Sequence, residues 1–72
     1  MNKNRLMQNL KNARRKAGLT QVELSVLTGT GKYQNIAQWE LGYRTPKIES
    51  IEKIAKACGV SPFDLLDGVF CD

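Results

Sequence analysis

Residues 20–42 read TQVELSVLTGTGKYQNIAQWELG, and this stretch predicts two short helices joined by a tight turn. Thr20 is an effective N-cap and Glu23 follows at the third position after it, so the pair can satisfy two unpaired N–H groups reciprocally in a capping box. The first helix is therefore expected to start at Gln21. Leu24 and Leu27 share one helical face, and Gly29 is the residue type that ends a helix in the left-handed conformation, which stops this one near Thr28. After the turn Gly29-Thr30-Gly31, Ile36 and Trp39 repeat at helical spacing, while Lys32, Tyr33, Gln34, Asn35 and Gln38 spread over the other face. Gly42 ends the second helix. Its outward face is long, hydrogen-bonding and almost free of acid. Such a face suits a reader of base edges, because Gln and Asn offer a donor and an acceptor together and can bond adenine bidentately in the major groove.

Working outward, Leu6, Leu10, Ala13 and Ala17 fall at helical intervals and predict a helix from Lys3 or Asn4 to Lys16, closed by Gly18. Beyond Gly42, Tyr43-Arg44-Thr45 forms a short basic loop whose Tyr43 and Arg44 can hold a phosphate, and Pro46 suits the first position of a helix capped by Thr45. Ile48, Ile51, Ile54, Ala55 and Cys58 then give an apolar stripe, with Glu49, Glu52, Lys53 and Lys56 on the other side. Gly59 stops this helix. Ser61 caps a short fifth one that carries Pro62 first and Asp64 third, with Leu65 and Leu66 turned inward. In the apolar tail, either Val69 and Phe70 fold back onto the domain or they help cover a partner subunit. The expectation is an all-α, five-helix domain spanning residues 1–72, its core about residues 4–67 and its tail 68–72. Leu19, Leu24, Leu27, Ile36 and Trp39 are expected in its core.

A chain of 72 residues supports one small domain with a modest core and no large active-site cavity. No apolar run approaches the roughly 20 residues needed to span a bilayer, and no stretch has the order of a signal peptide, so a cytoplasmic location without membrane association is expected. Cys58 and Cys71 are the chain's only cysteines and histidine is absent, which supports neither a zinc site nor a disulfide framework. Two free thiols are the expectation. Gly29-Thr30-Gly31-Lys32 has the flavour of a phosphate-binding loop but lacks the upstream glycine, the hydroxyl residue after lysine and the preceding strand. With no paired nucleophile and base and no metal-ligand spacing, no enzyme, metal or cofactor is expected.

The net charge of +4 hides an asymmetry. Residues 1–47 hold nine Lys and Arg against Glu23 and Glu40, a net of +7, whereas residues 48–72 hold two lysines against five acids, a net of −3. The basic part contains the candidate reader. A positive field concentrated on one side is the footprint of a polyanion binder, which gains affinity by releasing counterions; a merely solvated charged surface is the alternative. Gln21, first in its helix, stands where N–H groups are unpaired and the helix dipole is positive, so a phosphate fits there. Lys32 at the rim of the second helix is a further phosphate candidate.

Gly18-Leu19-Thr20-Gln21, Glu23-Leu24, Gly29, Ile36, Trp39-Glu40, Gly42, Pro46, Ile54-Ala55-Lys56-Ala57 and Gly59-Val60-Ser61 together resemble the helix-turn-helix domain of the phage repressor and Cro (XRE-type) family, from about Leu6 to Leu66. The resemblance implies a five-helix domain that binds double-stranded operator DNA as a homodimer, a palindromic site being the counterpart of that symmetry. It implies that Gln21 contacts the DNA backbone and supports the recognition helix, and that Arg14 pairs with Glu40. The alternative for Arg14 is a free, phosphate-facing base. One departure stands out: Thr30-Gly31 occupies a place where members of the family usually have one residue. Tyr33, Gln34, Asn35 and Gln38 are the expected base readers, Gln34 foremost; a shifted helix start would bring Lys32 or Asn35 to the bases instead. The leading function is a sequence-specific transcriptional regulator, a repressor first. An antitoxin-like or regulatory protein-interaction module with the same fold is the alternative.

Overall fold

Side-chain caps and left-handed glycines set most of the helix boundaries. The computed structural model describes residues 1–70, which form α1 (Lys3–Lys16), α2 (Gln21–Leu27), α3 (Tyr33–Leu41), α4 (Ile48–Cys58) and α5 (Pro62–Leu66). Asn2 caps α1 by accepting the Arg5 N–H at 3.0 Å. Thr20 and Ser61 head full capping boxes with Glu23 and Asp64, satisfying amides that a helix start otherwise leaves unpaired. Gly42 and Gly59 end α3 and α4 at φ near +80° and +72°, a region that side chains with a Cβ rarely enter.

The core is Leu6 and Leu10 of α1, Leu24, Ile36, Ile51, Ile54, Ala55, Leu65 and Val69, with Leu19, Trp39, Cys58 and Leu66 packed partly against it. α1 lies at the centre and packs on α3, α4 and α5, while α2 rests on α3 and α4. The segment after α5 turns back to α1. The Asn2 N–H donates to the Val69 carbonyl at 2.6 Å, and Asn9 Nδ2 donates to the carbonyls of Leu65 and Asp67, both at 2.9 Å. Arg5 reaches the Asp67 carboxylate at 3.3 Å.

Several sequence expectations are corrected. Leu27 is exposed, because the buried side of α2 is the arc of Leu24, Ser25 and Thr28, where small side chains let the backbone approach its neighbours. Ala17 is exposed as the C-cap of α1. Thr45 and Pro46 do not start α4: the helix begins at Ile48 with Lys47 in the cap position, and Pro46 is buried ahead of it. Ile48, placed in the apolar stripe, is exposed. The two fates offered for the tail are divided between its residues, Val69 being fully buried in the domain and Phe70 standing outside it. Cys71, read as a free thiol, and Asp72 lie outside the described residues; Cys58 is a free, half-buried thiol.

Candidate functional site

The turn between α2 and α3 is organised by one carbonyl. The Ser25 C=O accepts the Thr30 N–H at 3.1 Å, the Gly31 N–H at 3.3 Å and the Thr30 hydroxyl at 3.3 Å. Gly29 and Gly31 both take positive φ, +78° and +68°, so the turn contains two left-handed steps. α3 consequently starts at Tyr33, with Lys32 extended in the cap position and no side chain capping its amides. An uncapped, acid-free helix start carries the positive end of the helix dipole.

The opposite end of α3 is clamped. Arg14 Nε donates to Glu40 Oε2 at 2.6 Å, its Nη2 donates to Glu40 Oε1 at 3.1 Å, and its Nη1 donates to the Leu19 carbonyl at 2.9 Å. Gln21 Nε2 adds a bond to the same Glu40 oxygen at 3.2 Å. The Glu40 carboxylate thus ties α1 and α2 to the last turn of α3, and Arg14 adds the α1–α2 loop through Leu19. The fork-shaped guanidinium fixes orientation as well as distance. Hydrogen bonding to Glu40 holds the Arg14 guanidinium above its ordinary pKa, against an opposing effect of burial. Burial, which opposes the rise at Arg14, pushes the nearby Cys58 thiol up.

Between the turn and the clamp, Tyr33 and Gln34 are exposed on the first turn of α3, and Asn35 is half-buried beside Ile36. Gln38, expected outward with Gln34, is half-buried and its Oε1 is shielded without a partner among the described residues. The Tyr43 and Arg44 amides both donate to the Gln38 carbonyl, at 3.0 and 3.4 Å, and draw the α3–α4 loop back onto that turn. The side chains of Tyr43 and Arg44 remain exposed. Lys32 and Arg44 therefore flank the two ends of a helix about 13 Å long. Gln21 is a half-buried brace whose side-chain N–H is directed at Glu40 rather than outward.

Sequence reasoning left Lys11 and Arg15 without a role. They line, with Gln8 and Asn12, a cleft of about 260 Å³ that opens beside Glu40. Their spacing of four along α1 was the available signal. The bond from Arg14 to the Leu19 carbonyl had no sequence signal, since backbone acceptors are alike in every residue. Among the described residues no group of three or more His, Cys, Asp or Glu could hold a metal ion, and no helix is long and apolar enough to cross a membrane.

The family model described as Helix-turn-helix matches residues 10–65, which contain the turn, the clamp and the whole of α3. No curated protein and no solved structure matches the chain.

Proposed function

The chain belongs to the XRE-type helix-turn-helix family, and from that premise we propose that it is a sequence-specific regulator of transcription, a repressor that reads the major groove of double-stranded DNA with α3. The carrying observation is the exposure of Tyr33 and Gln34 at one end of a helix whose other end is locked through Glu40 to Arg14. A side chain can discriminate base edges only if its helix is held at a fixed angle and depth. Gln34 is the main reader, accepting from adenine N6 and donating to N7, with Tyr33, Asn35 and Gln38 beside it. Lys32, Tyr43, Arg44 and the amide end of α2 at Gln21 hold phosphates and set the register. Lys11 and Arg15 widen the basic surface on the α1 side.

The protein works as a homodimer on a palindromic operator, since one recognition helix covers only a few base pairs; half-site centres then lie about 34 Å apart. Leu66 and the exposed Phe63 and Phe70 supply the dimer contact, Val69 being committed to the core. Its place of action is the cytoplasm. Binding titrated at several salt concentrations and selection of sites from a random DNA library test the reading together. Log affinity should fall against log salt by roughly 0.9 for each phosphate neutralised, and the selected site should be a palindrome. A flat salt response, or selection that recovers no common sequence, would overturn it.

A further inference from the structure

The exposed face of α2 is apolar in a way that DNA binding does not use. On a helix of seven residues, Val22, Val26 and Leu27 are exposed, Val26 at 69% and Leu27 at 58%. A contiguous exposed patch of large aliphatic residues is uncommon on a small domain and marks a contact surface. Val26 and Leu27 form one wall of a groove of about 550 Å³ whose other wall is Ala57, Lys53 and Lys56 of α4. No residue of α3 lines it.

Charge identifies the occupant. Neither Lys53 nor Lys56 takes part in an ion pair among the described residues, although Glu49 and Glu52 precede them by four positions on the same helix. The acid on the α2 side, Glu23, is committed to the capping box, its Oε1 accepting the Thr20 N–H at 2.9 Å. The α2 wall of the groove is thus aliphatic and its α4 wall carries unpaired positive charge. Val22 stands outside the groove, one helical turn before Val26, and extends the aliphatic surface along α2. We propose that the α2–α4 groove docks an amphipathic helix of a partner protein, its aliphatic stripe on Val26, Leu27 and Ala57 and its acidic flank on Lys53 and Lys56. The groove contains none of the residues proposed above to contact DNA.

The test uses the full chain and two synthetic helical peptides with the same leucine stripe, one flanked by glutamates and one by lysines. Backbone amide shifts should move for residues 26–29 and 53–57 with the acidic peptide and not with the basic one. Val26→Ser with Leu27→Ser should weaken that binding at least about tenfold, and Lys53→Glu with Lys56→Glu should reverse the preference between peptides. Helicity and urea unfolding report that both variants remain folded. Equal binding of the two peptides, shifts located elsewhere, or no binding would overturn the proposal. So would self-association abolished by the serine variant, which would assign the groove to a second copy of the chain.

Discussion

Among the described residues there are two arginine–carboxylate pairs, and their difference explains how α3 is supported. Arg14 and Glu40 are 12% and 2% exposed in their side chains, meet through two hydrogen bonds and share further bonds with Leu19 and Gln21. Arg5 and Asp67 are 52% and 75% exposed and meet through one contact between charged groups, at 3.3 Å. Both join α1 to a later part of the chain. A pair removed from water carries a large cost if either partner is lost, whereas an exposed pair exchanges one set of water contacts for another. The buried pair therefore specifies geometry, and the exposed one adds little beyond the backbone bonds around it.

The largest effect expected is that of Glu40→Ala, which leaves the Arg14 charge buried without its partner and should cost about 3–5 kcal/mol in urea unfolding. Operator affinity should fall with it. The pair substituted together, Arg14→Met with Glu40→Leu, should regain most of the stability but not the operator affinity, since packing is restored and the orientation of α3 is not. Equal affinity in that double variant would break the comparison, because the pair would then be support without geometry.

Next in size is Gln34→Ala on the braced helix. It should remove about 1–3 kcal/mol of discrimination at one base pair per half-site without altering unfolding. Arg44→Ala should instead weaken selected and random DNA alike. If Asn35→Ala changes the selected sequence and Gln34→Ala does not, the contact register on α3 is shifted toward the helix interior.

A smaller effect is sought in pH. The folded-state pKa of Cys58 is raised by burial, so the unfolded chain gives up its thiol proton first and stability should be lost as pH rises through the ordinary thiol range, about 8.5, and upward. Cys58→Ala should flatten the stability profile there. An unchanged slope would mean that the thiol beside the buried pair is better solvated than its position indicates. The smallest effect is that of Asp67→Ala, expected within about 0–1 kcal/mol. A loss comparable with that of Glu40→Ala would remove the distinction between the two pairs.

Those boundaries and contacts that depend on local chemistry were legible in the sequence. Thr20 with Glu23, Ser61 with Asp64, and glycines at 42 and 59 each act within a few residues, and each stands where expected. What depended on facing was less legible. Leu24 and Leu27 have the right spacing for one face, yet a helix of two turns offers too few positions to choose among arcs, and Ser25 with Thr28 took the buried side. Pro46 and Thr45 make a good helix start in isolation; burial of Pro46 moved the start to Ile48. Gln34 was placed outward correctly, and the return of the Tyr43 amide to the Gln38 carbonyl is the local companion of the left-handed Gly42, but the half-burial of the Gln38 side chain depends on packing and had no local signature. The pairing of Arg14 with Glu40 entered through a likeness of sequence, and the bonds to Leu19 and Gln21 that complete it are visible only in three dimensions.

The clasp between Asn2 and Val69 bears on synthesis. A ribosome makes the capping box of α2, the turn and α3 well before it adds residue 69, and it still shelters that residue in its tunnel after the peptide bond is made. Until Val69 emerges, the pocket beside Leu6 and Leu10 stays open and the Asn2 amide has no carbonyl to meet. Domains of this size close as cooperative units rather than piece by piece. The nascent chain should therefore be a poor DNA binder while Val69 is sheltered, becoming competent in one step when Val69 clears the tunnel. Ribosome-bound chains arrested with residue 69 inside or outside the tunnel should differ sharply in operator binding.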